Sequence, residues 1–225
     1  MFLTVSQLRT ILAIADKLNS IRKFDSVNVT KHFESYYFDV TNGAVASRFI
    51  VTDGISGKFP EGGSVNIPRT ILDQFMKIVP KGKKTDSLNV LFEFGTNNTV
   101  IITVATADIN VPYSIRGFYA TDVKFPSFDT FFNVTKTETE SANAFALFAS
   151  KNMSLFEDFL KCNGAGVFGK YSICPYNKFV KGGLIAFIGE DNYVADSKHY
   201  RAVFLMLPYQ FATHYGIQKM DTSYN

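Results

Sequence analysis

Apolar residues fall at helical spacing in three stretches of the chain and follow strand-like patterns through most of the remainder. In residues 6–21, Leu8, Ile11, Leu12, Ala15 and Leu18 share one face of a 3.6-residue period. Arg9, Thr10, Ala13, Asp16, Lys17 and Ser20 lie outside that stripe. This predicts an amphipathic helix with Ser6 as its N-cap, because a serine hydroxyl accepts from the free amides of a first turn. Residues 65–79 repeat the pattern, with Ile71, Leu72, Phe75, Ile78 and Val79 inward and Arg69, Asp73 and Lys77 on the opposite face. Pro68 suits the first turn of that helix, where a missing amide costs nothing. The basic run Pro80-Lys81-Gly82-Lys83-Lys84 ends it. Ser154 with Glu157 forms a capping-box pair, so a third helix is expected over 154–162, stopping near Gly164.

Strands are predicted at 26–29, 35–40, 44–51, 88–94, 99–106, 111–115, 167–174, 184–188 and 202–207. Thr41-Asn42-Gly43 and Asn97-Asn98 supply tight turns, because Asn and Gly tolerate positive φ. The Gly- and Pro-rich run 52–63 reads as a loop. Residues 144–149 alternate, Pro208 ends the last strand, and 211–225 look like a tail. The polar run 135–141 marks a boundary between a complete domain, 1–134, and a shortened one, 140–225. A helix followed by strands appears at 6–51 and at 65–115, and a strand, a helix and further strands at 144–207. The expected class is therefore α+β, built from repeated units whose helices cover one face of antiparallel sheets.

Composition narrows the function classes. Hydrophobic residues make up 46% of the 225 positions and charged residues 19%, which argues against extensive disorder. The 23 Phe and 11 Tyr, without Trp, point to a β-rich core. A net charge of +3 permits contact with a polyanion without requiring it. Cys162 and Cys174 are too few for a disulfide framework and are expected as free thiols of a cytoplasmic protein. No basic leader precedes an apolar run at Met1-Phe2-Leu3-Thr4, and no apolar run approaches the ~18 residues of a spanning helix, so neither a signal peptide nor a membrane is expected. His32, His199 and His214 lack ligand spacing with each other or with the cysteines. The Gly-rich stretches 54–63 and 164–169 match no phosphate-cradling motif, and Asp108, Asp122 and Asp129 read as solvated loop carboxylates. Neither an enzyme, a metal site nor a cofactor is expected.

Several motifs, taken in order, resemble those of bacterial DNA polymerase III β-subunit sliding clamps. Phe2-Leu3-Thr4-Val5-Ser6-Gln7 is similar to the opening of the clamp's middle domain. Thr41-Asn42-Gly43-Ala44-Val45-Ala46 stands in place of the Thr-Asp-Gly-His-Arg-Leu turn. Val65-Asn66-Ile67-Pro68-Arg69 resembles Val-Ile-Val-Pro-Arg. Phe94-Gly95-Thr96-Asn97-Asn98 resembles the Gly-Asn turn, and Lys124-Phe125-Pro126-Ser127-Phe128 the Phe-Pro-Asp-Tyr corner. Residues 148–163 look like the last helix unit of the third domain, and the segment from His199 to Pro208 like its closing Tyr-Val-Val-Met-Pro. The resemblance implies a shortened, phage-like clamp: one complete domain plus part of another.

By that resemblance the chain is a non-catalytic processivity factor, a homo-oligomer acting in the cytoplasm, or the host cytoplasm if phage-encoded. It embraces double-stranded DNA without regard to sequence and tethers a polymerase, or a clamp loader, through short hydrophobic peptides. Helix-face cations meet phosphates: Arg9, Lys17, Arg69, Lys77, Lys81, Lys83, Lys84 and Lys151. The partner-peptide pocket falls on Thr41, Gly43, Ala44, Val45, Leu207, Pro208 and Tyr209, with Asn42 replacing the family's acid and Ala44-Val45 its His-Arg. The alternative is a clamp-fold interaction protein that binds or inhibits replication partners without encircling DNA. A β-rich virion component ranks third.

Overall fold

A computed structural model of the chain describes residues 1–15, 25–60, 63–104, 112–121, 125, 128–132, 148, 150–164, 170–176, 178, 183–189 and 200–208. The chain starts with β1 (Leu3–Thr4) and α1 (Val5–Ile14). Thr4, not Ser6, caps α1: its Oγ1 accepts from the Gln7 amide at 3.2 Å, and Gln7 Oε1 accepts from the Thr4 amide at 2.9 Å. A cap two residues further on would leave the Val5 and Ser6 amides outside the helix and displace Val5, which is fully buried. The helix stops at Ile14, with Ala15 as its C-cap, and the rest of the expected helix lies outside the described residues. Thr10 and Gln7 are buried with the apolar side chains, because three further helices, Arg69–Ile78, Lys83–Asp86 and Ser150–Cys162, pack against α1 as well as the sheets.

The first hairpins follow as β2 (Ser26–His32), β3 (Ser35–Thr41) and β4 (Val45–Val51). The expected loop over 52–63 contains a short strand, β5 (Ile55–Gly57). Residues expected to begin the second helix instead form β6 (Ser64–Pro68), so α2 spans Arg69–Ile78 with Pro68 as N-cap. Leu72 and Phe75 of α2 are buried, whereas Ile78 is 45% exposed rather than inward. A one-turn α3 (Lys83–Asp86) leads to β7 (Asn89–Phe94), β8 (Thr99–Val104) and β9 (Tyr113–Phe118). β5 runs parallel to β7, and Gly57 makes this approach possible. Its φ is +81°, and a Cβ there would lie 2.1 Å from the Phe94 carbonyl oxygen. Asn97 and Asn98 both take positive φ in the β7–β8 turn. Gly117 lets α2 sit close on β9, since a Cβ would lie 2.5 Å from Ile71 Cδ1.

Two units exchange their leading strands. β1, from the first, pairs with β7 of the second through Leu3 opposite Val90 and Thr4 opposite Asn89. β6, from the second, pairs with β2 of the first through Ile67 opposite Val27 and Pro68 opposite Ser26. The first amide of each helix then bonds the carbonyl just ahead of the partner strand, Val5 to Leu88 at 2.9 Å and Arg69 to Asp25 at 3.1 Å. The repeat expected from the sequence is thus present as a pseudo-two-fold pair.

A third helix unit follows α4 (Phe128–Phe132). It comprises α5 (Ser150–Cys162), β10 (Lys170–Tyr176), β11 (Gly183–Gly189) and β12 (Tyr200–Met206). Ser154 sits inside α5 rather than capping it, and Gly164 ends the turn after it with φ +70°. The run 144–149 holds only Phe148 among the described residues, and 135–141 and 211–225 lie outside them. β12 pairs antiparallel with β4, giving a seven-stranded sheet ordered β10-β11-β12-β4-β3-β2-β6. The other sheet runs β1-β7-β8-β9, with β5 beside β7. Residues on either side of the expected boundary therefore share one sheet and one core: Phe159 of α5 packs its ring against Phe49 of β4 and Phe204 of β12.

Alternation along β4, β11 and β12 divides that sheet into two faces. Phe49, Val51, Ala186, Ile188, Phe204 and Met206 face the main core with α1, α2 and α5. Ala46, Ile185, Phe187, Val203 and Leu205 face the opposite side, where α4 lays down Phe128 and Phe132.

Candidate functional site

The sheet face covered by α4 carries the β3–β4 turn and the end of β12, where the pocket residues were expected. Thr41 closes the β3–β4 turn by donating its hydroxyl to the Val45 carbonyl at 2.7 Å and accepting from the Gly43 amide at 3.0 Å. Asn42 Oδ1 accepts from the Ala44 and Val45 amides at 3.0 and 2.8 Å. An asparagine thus fills, as a neutral acceptor, the capping role that an acid would take in such a turn. Gly43 has φ +92° and nothing within 4 Å of where a Cβ would stand, so the turn tip is open. The end of the last strand is fixed to this turn, with the Leu207 amide donating to the Ala44 carbonyl at 2.8 Å.

Between these elements lies a cavity of about 230 Å³. Thr41, Gly43, Ala44, Val45 and Leu207 line it, so the structure brings together five of the expected pocket residues. Pro208 is half-buried beside Leu207 but does not line it, and Tyr209 lies outside the described residues. Ala46, Leu205, Phe128 and Phe131 complete the wall. These four were not expected. Phe128 and Phe131 carried a signal in the Phe-x-x-Phe-Phe spacing of 128–132, which puts three rings on one side of a helical turn. Among the described residues no ionisable side chain lines the cavity, which suits an apolar anchor rather than a charged group.

Behind α4 stands a buried ion pair. Arg48, 4% exposed, is clamped bidentately by Asp39, Nε to Oδ1 at 2.7 Å and Nη2 to Oδ2 at 2.9 Å. Its remaining nitrogen, Nη1, reaches Asp129 Oδ1 of α4 at 2.5 Å. The guanidinium carbon lies 4.3 Å from the Tyr37 ring centre and 5.4 Å from that of Phe132. Burial pushes the Asp39 carboxyl above the usual carboxylate range, against the bonds and attraction of Arg48. Burial also works against the Arg48 charge, but its bonds to Asp39 outweigh it and hold the guanidinium ionised. The Tyr200 hydroxyl is likewise pushed up by burial, with Arg48 pulling it back.

The expected DNA-contacting cations divide into two kinds. Arg9 is spent inside the molecule: Nε meets Asp86 at 3.2 Å and Nη2 the Pro80 carbonyl at 3.1 Å, tying α1 to the segment after α2. Arg69 meets Asp73 at 3.2 Å and donates to the Ala15 carbonyl at 3.2 Å. Lys77, Lys81, Lys83 and Lys84 are exposed at the end of α2 and on α3. Lys81 shares an open hollow with Arg9, Leu12, Met76 and Asp86. Lys151 is exposed on the first turn of α5, which packs on α1 rather than α2, and Lys17 lies outside the described residues.

Among the described residues, no group of three His, Cys, Asp or Glu side chains is placed to hold a metal ion. No described helix is long and apolar enough to cross a membrane. Cys162 and Cys174 are free thiols, and burial pushes Cys162 up to about 11.

No protein-family model matches the chain, and no curated protein matches it. Solved structures do. One is the DNA polymerase III β chain of Streptococcus pneumoniae, at 14% identity and TM-score 0.45, covering 93% of this chain and 64% of that one. A second is the DNA polymerase sliding clamp of Pseudomonas aeruginosa, at 12% identity and TM-score 0.47, covering 93% and 66%. A third is the Helicobacter pylori β clamp, at 9% identity and TM-score 0.47, covering 91% and 64%. The chain thus spans just under two-thirds of the length of the clamps it is similar to.

Proposed function

We propose that the chain is a non-enzymatic, clamp-like tether that embraces duplex DNA and holds a polymerase or clamp loader by a short hydrophobic peptide. The observation that carries this reading is the apolar cavity at the junction of the Thr41–Val45 turn, the end of β12 and α4. Its walls are bonded to one another across elements distant in sequence, so a peptide entering it meets a pre-formed surface. The exposed Lys77, Lys81, Lys83 and Lys84 support sequence-blind contact with phosphates. β9 and β10 end their sheets and expose Phe118, Tyr171 and Ile173, which supports assembly of copies edge to edge. In this reading residues 1–134 supply a complete clamp-like domain and 140–225 a shortened one joined to it through a common sheet and core, and the protein works in the cytoplasm.

The test is fluorescence anisotropy of a labelled hexapeptide carrying adjacent Leu and Phe between polar residues. Wild-type protein binds it, and Leu207→Asp or Phe131→Asp weakens binding at least about tenfold without moving the thermal midpoint, as expected for a charge placed in an apolar pocket. Equal binding by all three proteins would remove the tether reading. A second reading, an interaction protein that does not encircle DNA, draws on the commitment of Arg9 and Arg69 to intramolecular bonds, which leaves fewer cations for phosphate. Peptide binding without measurable affinity for duplex DNA would favour it.

A further inference from the structure

We propose that Asp129, through Arg48, is the latch that holds α4 in place and so sets the shape of the cavity. The proposal rests on the tether reading only for what the cavity binds. α4 has five residues, far too few to be stable alone. It is placed by tertiary contacts: Phe128 and Phe132 sink into the outer-face cluster, and Asp129 is its one described ion pair to the sheet.

The geometry of Arg48 leaves little choice of direction. Two of its nitrogens are taken by Asp39, opposite it on β3, and its ring contacts with Tyr37 and Phe132 fix the guanidinium plane. Nη1 is the nitrogen that faces α4, and Asp129 meets it from a side chain that is otherwise 71% exposed. An exposed carboxylate held by a buried, rigid guanidinium fixes the rotation of the short helix. That rotation decides where Phe131 stands, two residues on from Asp129 and with its ring centre 6.2 Å from that of Phe128. Phe131 is part of the cavity wall. Asp129 is thus a positioning residue for the pocket and does not itself line it.

The test uses the full chain with Asp129→Asn, Asp129→Glu and wild type. Amide hydrogen exchange of residues 128–132 and affinity for the labelled Leu-Phe hexapeptide are both measured. Asp129→Asn keeps the volume but replaces the ion pair with a weaker bond to a neutral amide oxygen, so exchange in α4 is expected to quicken about tenfold and peptide affinity to fall by a similar factor. β3 and β4 amides and the thermal midpoint should stay near wild type, and the Asp129→Glu variant should recover most of both losses. Unchanged exchange in α4 overturns the latch. Faster exchange with full peptide affinity also overturns it, because the wall would then be set by Phe128 and Phe132 alone. Should the wild type fail to bind the peptide, the tether reading falls, and the exchange measurement still decides the latch.

Discussion

Replacing Lys77, Lys81, Lys83 and Lys84 together with Gln separates a DNA-contacting surface from an ordinary solvated one. All four are exposed at the end of α2 and on α3, while nearby Asp73 and Asp86 are already engaged by Arg69 and Arg9. If each lysine displaces a counterion from duplex DNA, the logarithm of the binding constant falls with the logarithm of salt at about 0.9 per lysine, or about 3.6 for the set. Between about 50 and 200 mM salt, affinity then drops by about two orders of magnitude. Anisotropy of a labelled duplex across that range should show this slope for wild type and a nearly flat line for the quadruple variant. Arg9→Gln and Arg69→Gln serve as controls. They should lower the thermal midpoint while leaving the slope within about one unit of wild type, because those guanidinium groups are bonded within the molecule. A slope unchanged by the quadruple substitution would refute the reasoning.

Two further predictions concern the scaffold. Phe159 is fully buried against Phe49 and Phe204, so Phe159→Ala should cost about 3–5 kcal/mol in urea unfolding and move a single transition as a whole. An early, separate loss of α5 and β10–β12 would contradict the shared core. Cys162 is raised by burial from an ordinary value near 9 to about 11, so the unfolded thiol ionises first as pH climbs. Its contribution is therefore complete below about pH 9 and is lost by about pH 11, amounting to about 2 kcal/mol. Urea unfolding of Cys162→Ser should lack that alkaline loss relative to wild type, and identical curves would remove the cause assigned to the shift.

What could be read from the chain alone depended on how local the chemistry was. The Thr41–Val45 turn was readable because its bonds are made by its own side chains. The cavity-lining residues came only with the resemblance to clamps, since Leu207 reaches the turn from a distant part of the chain. The helix at 69–78 was readable from its period, but its start was not. Val65 and Ile67 suit a helix face as well as a strand, and only pairing with β2 decides between them. α1 read as amphipathic with Thr10 outside its apolar stripe, yet Thr10 and Gln7 are both buried. Gln7 is buried by a bond from Nε2 to Asn163, 156 residues away, which no local pattern reveals. β5 was hidden in a Gly-Pro loop because its partner is β7, across the fold. Arg48 went unnoticed as a lone cation in an apolar strand, and its meaning depends on Asp39 and Asp129 arriving from two other elements. The two arginines among the expected cations differ in this respect: Asp73 stands four residues from Arg69 on the same helix face and is visible in the sequence, whereas Asp86, 77 residues from Arg9, is not.

Sedimentation equilibrium of the full chain at micromolar concentration bears most directly on the clamp-like reading. Three helix units, with apolar side chains exposed on the strands that end both sheets, need further copies to surround a duplex. A mass at least twice that of the chain, unchanged on dilution through the micromolar range, is the predicted result. A strict monomer at every concentration would contradict it.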